Sequence, residues 1–166
     1  MVAESTPEDH EFLEREEWEA WNSLMMLHRW VFQRLDNELR RSEGLAVTEF
    51  DVLITLYNAP DRRLRMSALA ERVLLSPAGA THLVTRLERD RMVRREVDPA
   101  DGRKWFAVLT DEGDATLRSA RRTHNDALRQ TLFALTTPTE RRTLGRIWRR
   151  LAERQPHPLA PIKPDP

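Results

Sequence analysis

Val93-Arg94-Arg95-Glu96-Val97-Asp98, then Pro99-Ala100-Asp101-Gly102, then Arg103 through Leu109: this stretch decides the fold. Two extended runs around a Pro/Asp/Gly turn predict a β-hairpin. Just upstream, Ser76-Pro77 predicts a helix start. A serine hydroxyl accepts from the amides of a first turn, and proline suits the first helical position. Leu83, Val84, Leu87 and Met92 fall on the core side of that helix. Before it, Ser67 is expected to cap a brief helix carrying Leu69, Ala70 and Val73, and Leu64-Arg65-Met66 is short and extended. After the hairpin, Thr110-Asp111-Glu112 opens a long helix through Leu117, Ala120, Ala127, Leu128 and Leu132 to about Leu135.

Further out, the pattern is helical on both sides. From Phe12 to about Arg41, Trp18, Trp21, Met25, His28, Phe32, Leu35 and Leu39 step by three or four, which makes one wide apolar face. Met26 and Trp30 lie on a second strip, and a second strip calls for a second partner. Gly44 reads as a C-terminal cap and Thr48 as the next N-cap, ahead of Phe50, Leu53, Ile54 and Tyr57. Asn58-Ala59-Pro60-Asp61 is a turn. Thr137-Pro138-Thr139-Glu140 is a capping box before a final helix with Leu144, Ile147, Trp148 and Leu151. The division expected is an acidic, frayed 1–11, an N-terminal dimerisation helix in 12–47, a central lobe in 48–110, C-terminal dimerisation helices in 111–154, and a proline-rich tail in 155–166. The fold class is mainly α with a small β-wing, a winged helix-turn-helix flanked by long helices.

Composition narrows the chemistry. The 166 residues amount to one domain, 40% apolar and 33% charged. The absence of cysteine removes disulfides, thiolate metal sites and thiol redox switching. The start, Met1-Val2-Ala3-Glu4-Ser5, has no basic or apolar leader, and no stretch is long and apolar enough to span a membrane; the expected compartment is the cytoplasm. His10, His28, His82, His124 and His157 are scattered without ligand spacing, so no metal and no cofactor is expected. No glycine-rich phosphate loop or nucleophile motif marks an enzyme. Net charge is zero, yet it is unevenly laid out: residues 1–20 hold eight acids and one base, 60–104 eleven bases and seven acids, 138–154 six bases and two acids. Such blocks can form separate patches on the surface.

The residues of the central lobe resemble the MarR family of bacterial transcriptional regulators. The resemblance is carried by Leu69-Ala70-Glu71-Arg72-Val73, Ser76, Leu83-Val84-Thr85-Arg86-Leu87-Glu88-Arg89 and Met92-Val93-Arg94-Arg95. Its most telling part is Asp98-Pro99-Ala100-Asp101-Gly102-Arg103 running into Val108-Leu109-Thr110-Asp111-Glu112-Gly113. It implies a homodimer that binds pseudo-palindromic double-stranded DNA, more often a repressor than an activator. The residues agree. With the apolar side of helix 77–91 turned inward, Ala78, His82, Thr85 and Arg89 share the opposite face, flanked by Thr81 and Arg86. These are small, hydrogen-bonding or cationic groups, suited to base edges and phosphates in a major groove. In the wing, the resemblance implies that Arg103 enters a minor groove, braced by Asp101; narrow minor grooves attract arginine. Gly102 stands where a second arginine is usual, with Lys104 as a substitute.

Control by a small effector, aromatic or phenolic, is what the family implies next, in a pocket between the flanking helices and the lobe. The candidates are Trp21, Met25, His28, Phe50, Asp51, Ile54 and Trp105; the other reading of these aromatics is plain core. The peroxide-sensing branch needs a cysteine. The urate-responsive branch shares the early tryptophan and Glu49-Phe50-Asp51 but expects an arginine where this chain has Leu83. The alternative from another class is a winged-helix protein-interaction module without DNA binding; Arg86, Arg89 and Arg103 discriminate against it.

Overall fold

The computed structural model describes residues 13–154; the calls on 1–11, on Phe12 and on the 155–166 tail lie outside them. The chain forms α1 (Arg15–Glu43), α2 (Val47–Tyr57), a 3-10 turn (Pro60–Arg62), β1 (Arg63–Arg65), α3 (Met66–Arg72), α4 (Pro77–Arg89), β2 (Val93–Asp98), β3 (Asp101–Leu109), α5 (Asp111–Leu128) and α6 (Pro138–Ala152). This is a winged helix-turn-helix flanked by long helices, mainly α with one small sheet.

The sheet is antiparallel, with β3 between β1 and β2. Arg63 lies opposite Val108 and Arg65 opposite Phe106 on one side of β3. Val93 opposite Leu109 and Val97 opposite Trp105 set the register on the other. Past the core end of the sheet the hairpin runs out as the wing, closed by Asp98, whose Oδ1 accepts from the Ala100 amide at 2.9 Å.

The core lies around α2, whose Phe50, Val52, Leu53 and Leu56 are wholly buried. Against it pack Leu35 and Leu39 of α1, Leu69 of α3, Val84 and Leu87 of α4, Val93 and Ala107 of the sheet, and Leu117 and Ala120 of α5. Gly113 locks the sheet to α5. A Cβ there would land on the Met92 carbonyl oxygen and come within 2.9 Å of Leu109 Cδ1, so only glycine fits. Gly44 ends α1 with φ +68°, the left-handed conformation that glycine adopts without cost, and its amide donates to Arg40 O.

Several boundaries differ from the sequence reading: α1 opens at Arg15 and β3 at Asp101, which leaves Pro99-Ala100 as the wing turn. The α2 helix begins at Val47 with Ala46 as its cap, not Thr48. Glu49 explains this: its carboxylate, three residues on, accepts from the Ala46 amide at 2.7 Å and does the work a capping side chain would do. Asp36 of α1 takes the Val47 amide at 2.9 Å. Ser67 caps nothing, because β1 feeds directly into a helix starting at Met66. The long helix stops being α-helical at Leu128 and continues as a π-turn over Arg129–Phe133, where the Ala134 amide donates to Arg129 O at 2.8 Å. Within that turn the Thr131 hydroxyl donates to the Ala127 carbonyl at 2.6 Å.

Two apolar faces find no cover among the described residues. Trp18, Trp21, Leu24 and Met26 on the first half of α1 are about half exposed. So are Leu144, Ile147, Trp148 and Leu151, the stripe of α6. Among the described residues no helix is long and apolar enough to cross a membrane.

Candidate nucleic-acid interface

Helix α4 starts where its cap dictates: Ser76 Oγ accepts from the Gly79 amide at 3.1 Å, with Pro77 in the first turn. Ala80, Val84 and Leu87 anchor one side in the core. Ala78, Thr81, His82, Thr85 and Arg89 therefore stand exposed on the other side, in one strip. Arg89 bonds its neighbour Asp90 at 3.1 Å.

Arg86 has a partner inside the fold as well. Its Nε lies 3.0 Å from Oε1 of Glu49, a carboxylate only 3% exposed. The guanidinium thus ties α4 to the first turn of α2 while the side chain stays 41% exposed. The physical reason is the buried Glu49 charge, which needs a partner more than the surface needs a cation.

The wing is built differently. Arg103 is 93% exposed, its Nε 3.4 Å from Oδ1 of Asp101. Asp101 Oδ1 also accepts from the Arg103 amide at 3.2 Å, and Lys104 Nζ lies 3.1 Å from its Oδ2. The Lys104 ammonium above all, then the Arg103 amide, holds the Asp101 carboxyl below its usual range. Asp101, Arg103 and Lys104 thus form one unit at the tip, with the arginine thrust into solvent.

Between wing and α4 runs a cleft of about 770 Å³, lined by Arg65, Thr81, Glu88, Arg95, Arg103 and Trp105 among others. Two of its cations were not singled out in the sequence. Arg65 arrives on β1, its Nη2 2.7 Å from Oδ2 of Asp98. Arg95 reaches from β2 to Glu88, Thr81 and Thr85 of α4. Arg95 stands in the Met92–Arg95 stretch that carries the resemblance, but no role attaches to it there; the pairing of β1 with β3 and the packing of β2 on α4 bring both arginines to the cleft.

Among the described residues the seven effector candidates are not gathered into one pocket. Phe50 and Ile54 are buried core residues. Trp105 lines the wing cleft, because it lies opposite Val97 in the outer hairpin. Trp21 is exposed, and His28 stacks on Phe32 at 5.3 Å on the same helix. Met25 and Asp51 are part-buried. Burial pushes the Asp51 carboxyl up to about 6. His124 of α5, read in the sequence only as one of five scattered histidines, stacks on Phe50 at 4.7 Å, and burial pulls its pKa down. Among the described residues no cluster of side chains is arranged to hold a metal ion.

The MarR family model matches residues 43–104, the span from the end of α1 through the wing tip. A DNA-bound MarR family regulator of Streptomyces coelicolor, Sco3205, is 39% identical with a TM-score of 0.78, over 86% of this chain and 89% of that one. This chain belongs to the MarR family. AbsC, another Streptomyces coelicolor MarR regulator, is 30% identical with a TM-score of 0.76, over 86% of this chain and 95% of that one. The uncharacterised regulator YkoM of Bacillus subtilis is 33% identical over 64% of this chain and 69% of its own. The transcriptional repressor MprA of Escherichia coli K12 is 30% identical over 71% and 66%. As a MarR protein the chain is a DNA-binding regulator of transcription and not an enzyme.

Proposed function

We propose that this MarR protein is a homodimeric repressor that reads a pseudo-palindromic duplex with α4 and the wing of each protomer. The observation that carries the reading is the join of two surfaces. The exposed α4 strip of Ala78, Thr81, His82, Thr85 and Arg89 borders the same cleft that Arg103 and Lys104 close from the wing. A helix of this kind fills a major groove, and an extended arginine beside it suits the adjoining minor groove. Repression is supported by the names of the relatives MprA, YetL and MdtR, each a repressor.

The lobe of residues 48–110 contacts DNA in this reading, and 12–47 with 111–154 hold the dimer together. The uncovered faces of α1 and α6 support that assignment, since monomers rarely expose so much contiguous apolar surface. Two-fold symmetry then sets the two α4 helices about one DNA turn apart, roughly 34–36 Å. A small aromatic effector releases the repressor by binding near Asp51 where α1 and α2 meet, with Trp21, Met25 and His28 as its neighbours in the assembled dimer. Asp51 supports this by being a part-buried carboxyl with raised pKa outside the DNA face.

The test is selection of bound DNA from a random duplex pool by the full chain. The expected product is an inverted repeat with half-sites centred about 10 bp apart. Enrichment of no sequence, with binding that depends on salt alone, would leave a non-specific binder or a protein-interaction module instead.

A further inference from the structure

We propose that Arg95 is a specificity-determining positioning residue: it fixes what Thr85 can offer to a base pair. The inference rests on the reading of α4 as the DNA-reading helix. Arg95 itself is turned away from solvent, its side chain 21% exposed against 93% for Arg103. Its Nη1 donates to Glu88 Oε2 at 2.7 Å, and its backbone amide to Glu88 Oε1 at 3.2 Å. Its Nη2 donates to the Thr81 carbonyl at 3.1 Å and to Thr85 Oγ1 at 2.8 Å. One guanidinium therefore grips three consecutive outward turns of α4 from the wing strand.

The consequence lies at Thr85. A hydroxyl has one proton and two lone pairs. The Thr85 proton goes to the Thr81 carbonyl at 2.9 Å. One lone pair takes the Arg95 hydrogen. What remains for DNA is one lone pair and the methyl group. Such a side chain accepts from the amino group of adenine or cytosine and packs on the methyl of thymine. It has no proton left for guanine, whose major-groove edge carries only acceptors. Guanine is the base that Thr85 rejects: the Thr81 carbonyl takes the proton, and Arg95, bonded to both that carbonyl and Thr85 Oγ1, pins the rotamer that delivers it there. Without Arg95 the hydroxyl is free to turn and donate, and the rejection is lost.

The experiment uses the full chain on the duplex it selects, with single-base variants and a salt series. The position under Thr85 is the one whose base ranking changes in Thr85→Val, which keeps a methyl group and loses the hydroxyl. In the wild type, guanine there weakens binding by about tenfold or more. In Arg95→Gln that penalty falls to about twofold, while the slope of affinity against salt stays as in the wild type, since Arg95 touches no phosphate. A selected operator with guanine under Thr85 overturns the proposal without any Arg95 variant. An intact guanine penalty in Arg95→Gln, with a salt slope lowered by about one, also overturns it and makes Arg95 a phosphate contact. His82→Ala separates the two levels. If it shifts base preference while Arg95→Gln does not, only the role of Arg95 falls. If neither His82→Ala nor Thr85→Val alters any preference, α4 does not read bases, and the proposal falls with that reading.

Discussion

Arg86→Met tests whether the arginine of α4 serves the fold or the DNA. In the native chain its Nε sits 3.0 Å from Glu49, whose side chain is 3% exposed. Removing the cation strands a carboxylate that still accepts the Ala46 amide. Breaking a fully buried pair in this way costs about 3–5 kcal/mol. Arg86 is 41% exposed, so water can reach the vacated side, and the figure is discounted to about 2 kcal/mol. For a chain of this size that lowers Tm by roughly 4–8 °C. Adding Glu49→Gln removes the stranded charge while leaving an amide oxygen for Ala46, so the double variant should recover at least half of the loss. The assays are thermal melts of the single and double variants, with operator affinity across a salt series. Unchanged stability in Arg86→Met, together with a salt slope lowered by about one, would refute the pairing and restore Arg86 as a phosphate contact.

Gly113→Ala should cost at least the upper end of the ~1–3 kcal/mol typical of overpacking, because the methyl group meets the Met92 backbone carbonyl, which cannot yield; denaturant melts measure it. Asp51→Asn should stabilise the protein at pH 7.5 by on the order of 1–2 kcal/mol. The sign follows from a folded-state pKa near 6 against an ordinary 3.8: the folded state resists ionising Asp51, so a cost builds as pH rises from about 4, is complete above about 6 and is absent below pH 4. Melts at pH 7.5 and 3.5 should therefore show the gain at the first and none at the second. Leu144→Asp, on the uncovered stripe of α6, should turn the dimer into a monomer in sedimentation velocity at micromolar concentration. Arg103→Ala should weaken operator binding by about tenfold at ~0.15 M salt, read by fluorescence anisotropy, with the fold unchanged because the side chain is 93% exposed.

The signals legible in the sequence were the local ones. Ser76-Pro77, Gly44 and the Thr137–Glu140 box each declare themselves by the chemistry of one or two residues, and each appears in place, while the hairpin turn falls where expected but is shorter, Pro99-Ala100, with Asp101 and Gly102 already in β3. The cap at Ala46 was not legible, because alanine has no capping group and the acceptor sits at Glu49. Periodicity placed Ala78, His82, Thr85 and Arg89 on one outward strip, flanked by Thr81 and Arg86, but could not show where a long side chain bends. Arg86 lies at the edge of that strip and turns inward to a buried acid from another helix. Arg65 and Arg95 had no signal for a place in the cleft, since strand pairing carries them there, although Arg95 belongs to the Met92–Arg95 stretch of the resemblance. Trp105 shows the converse: an aromatic attracts a pocket reading, while its position midway along β3 puts it in the wing cleft.

Hydroxyl-radical and methylation footprinting of the full chain on its selected operator tests the central claim most directly. Two α4 helices in successive major grooves, each with an Arg103 in the minor groove beyond, should protect guanine N7 in two segments about 10 bp apart, with backbone protection extending outward of both. Arg103→Ala should remove the outer protections and leave the two inner ones. A single protected segment, or protection with no fixed register, would contradict the reading of this chain as a two-fold repressor that docks α4 and the wing together.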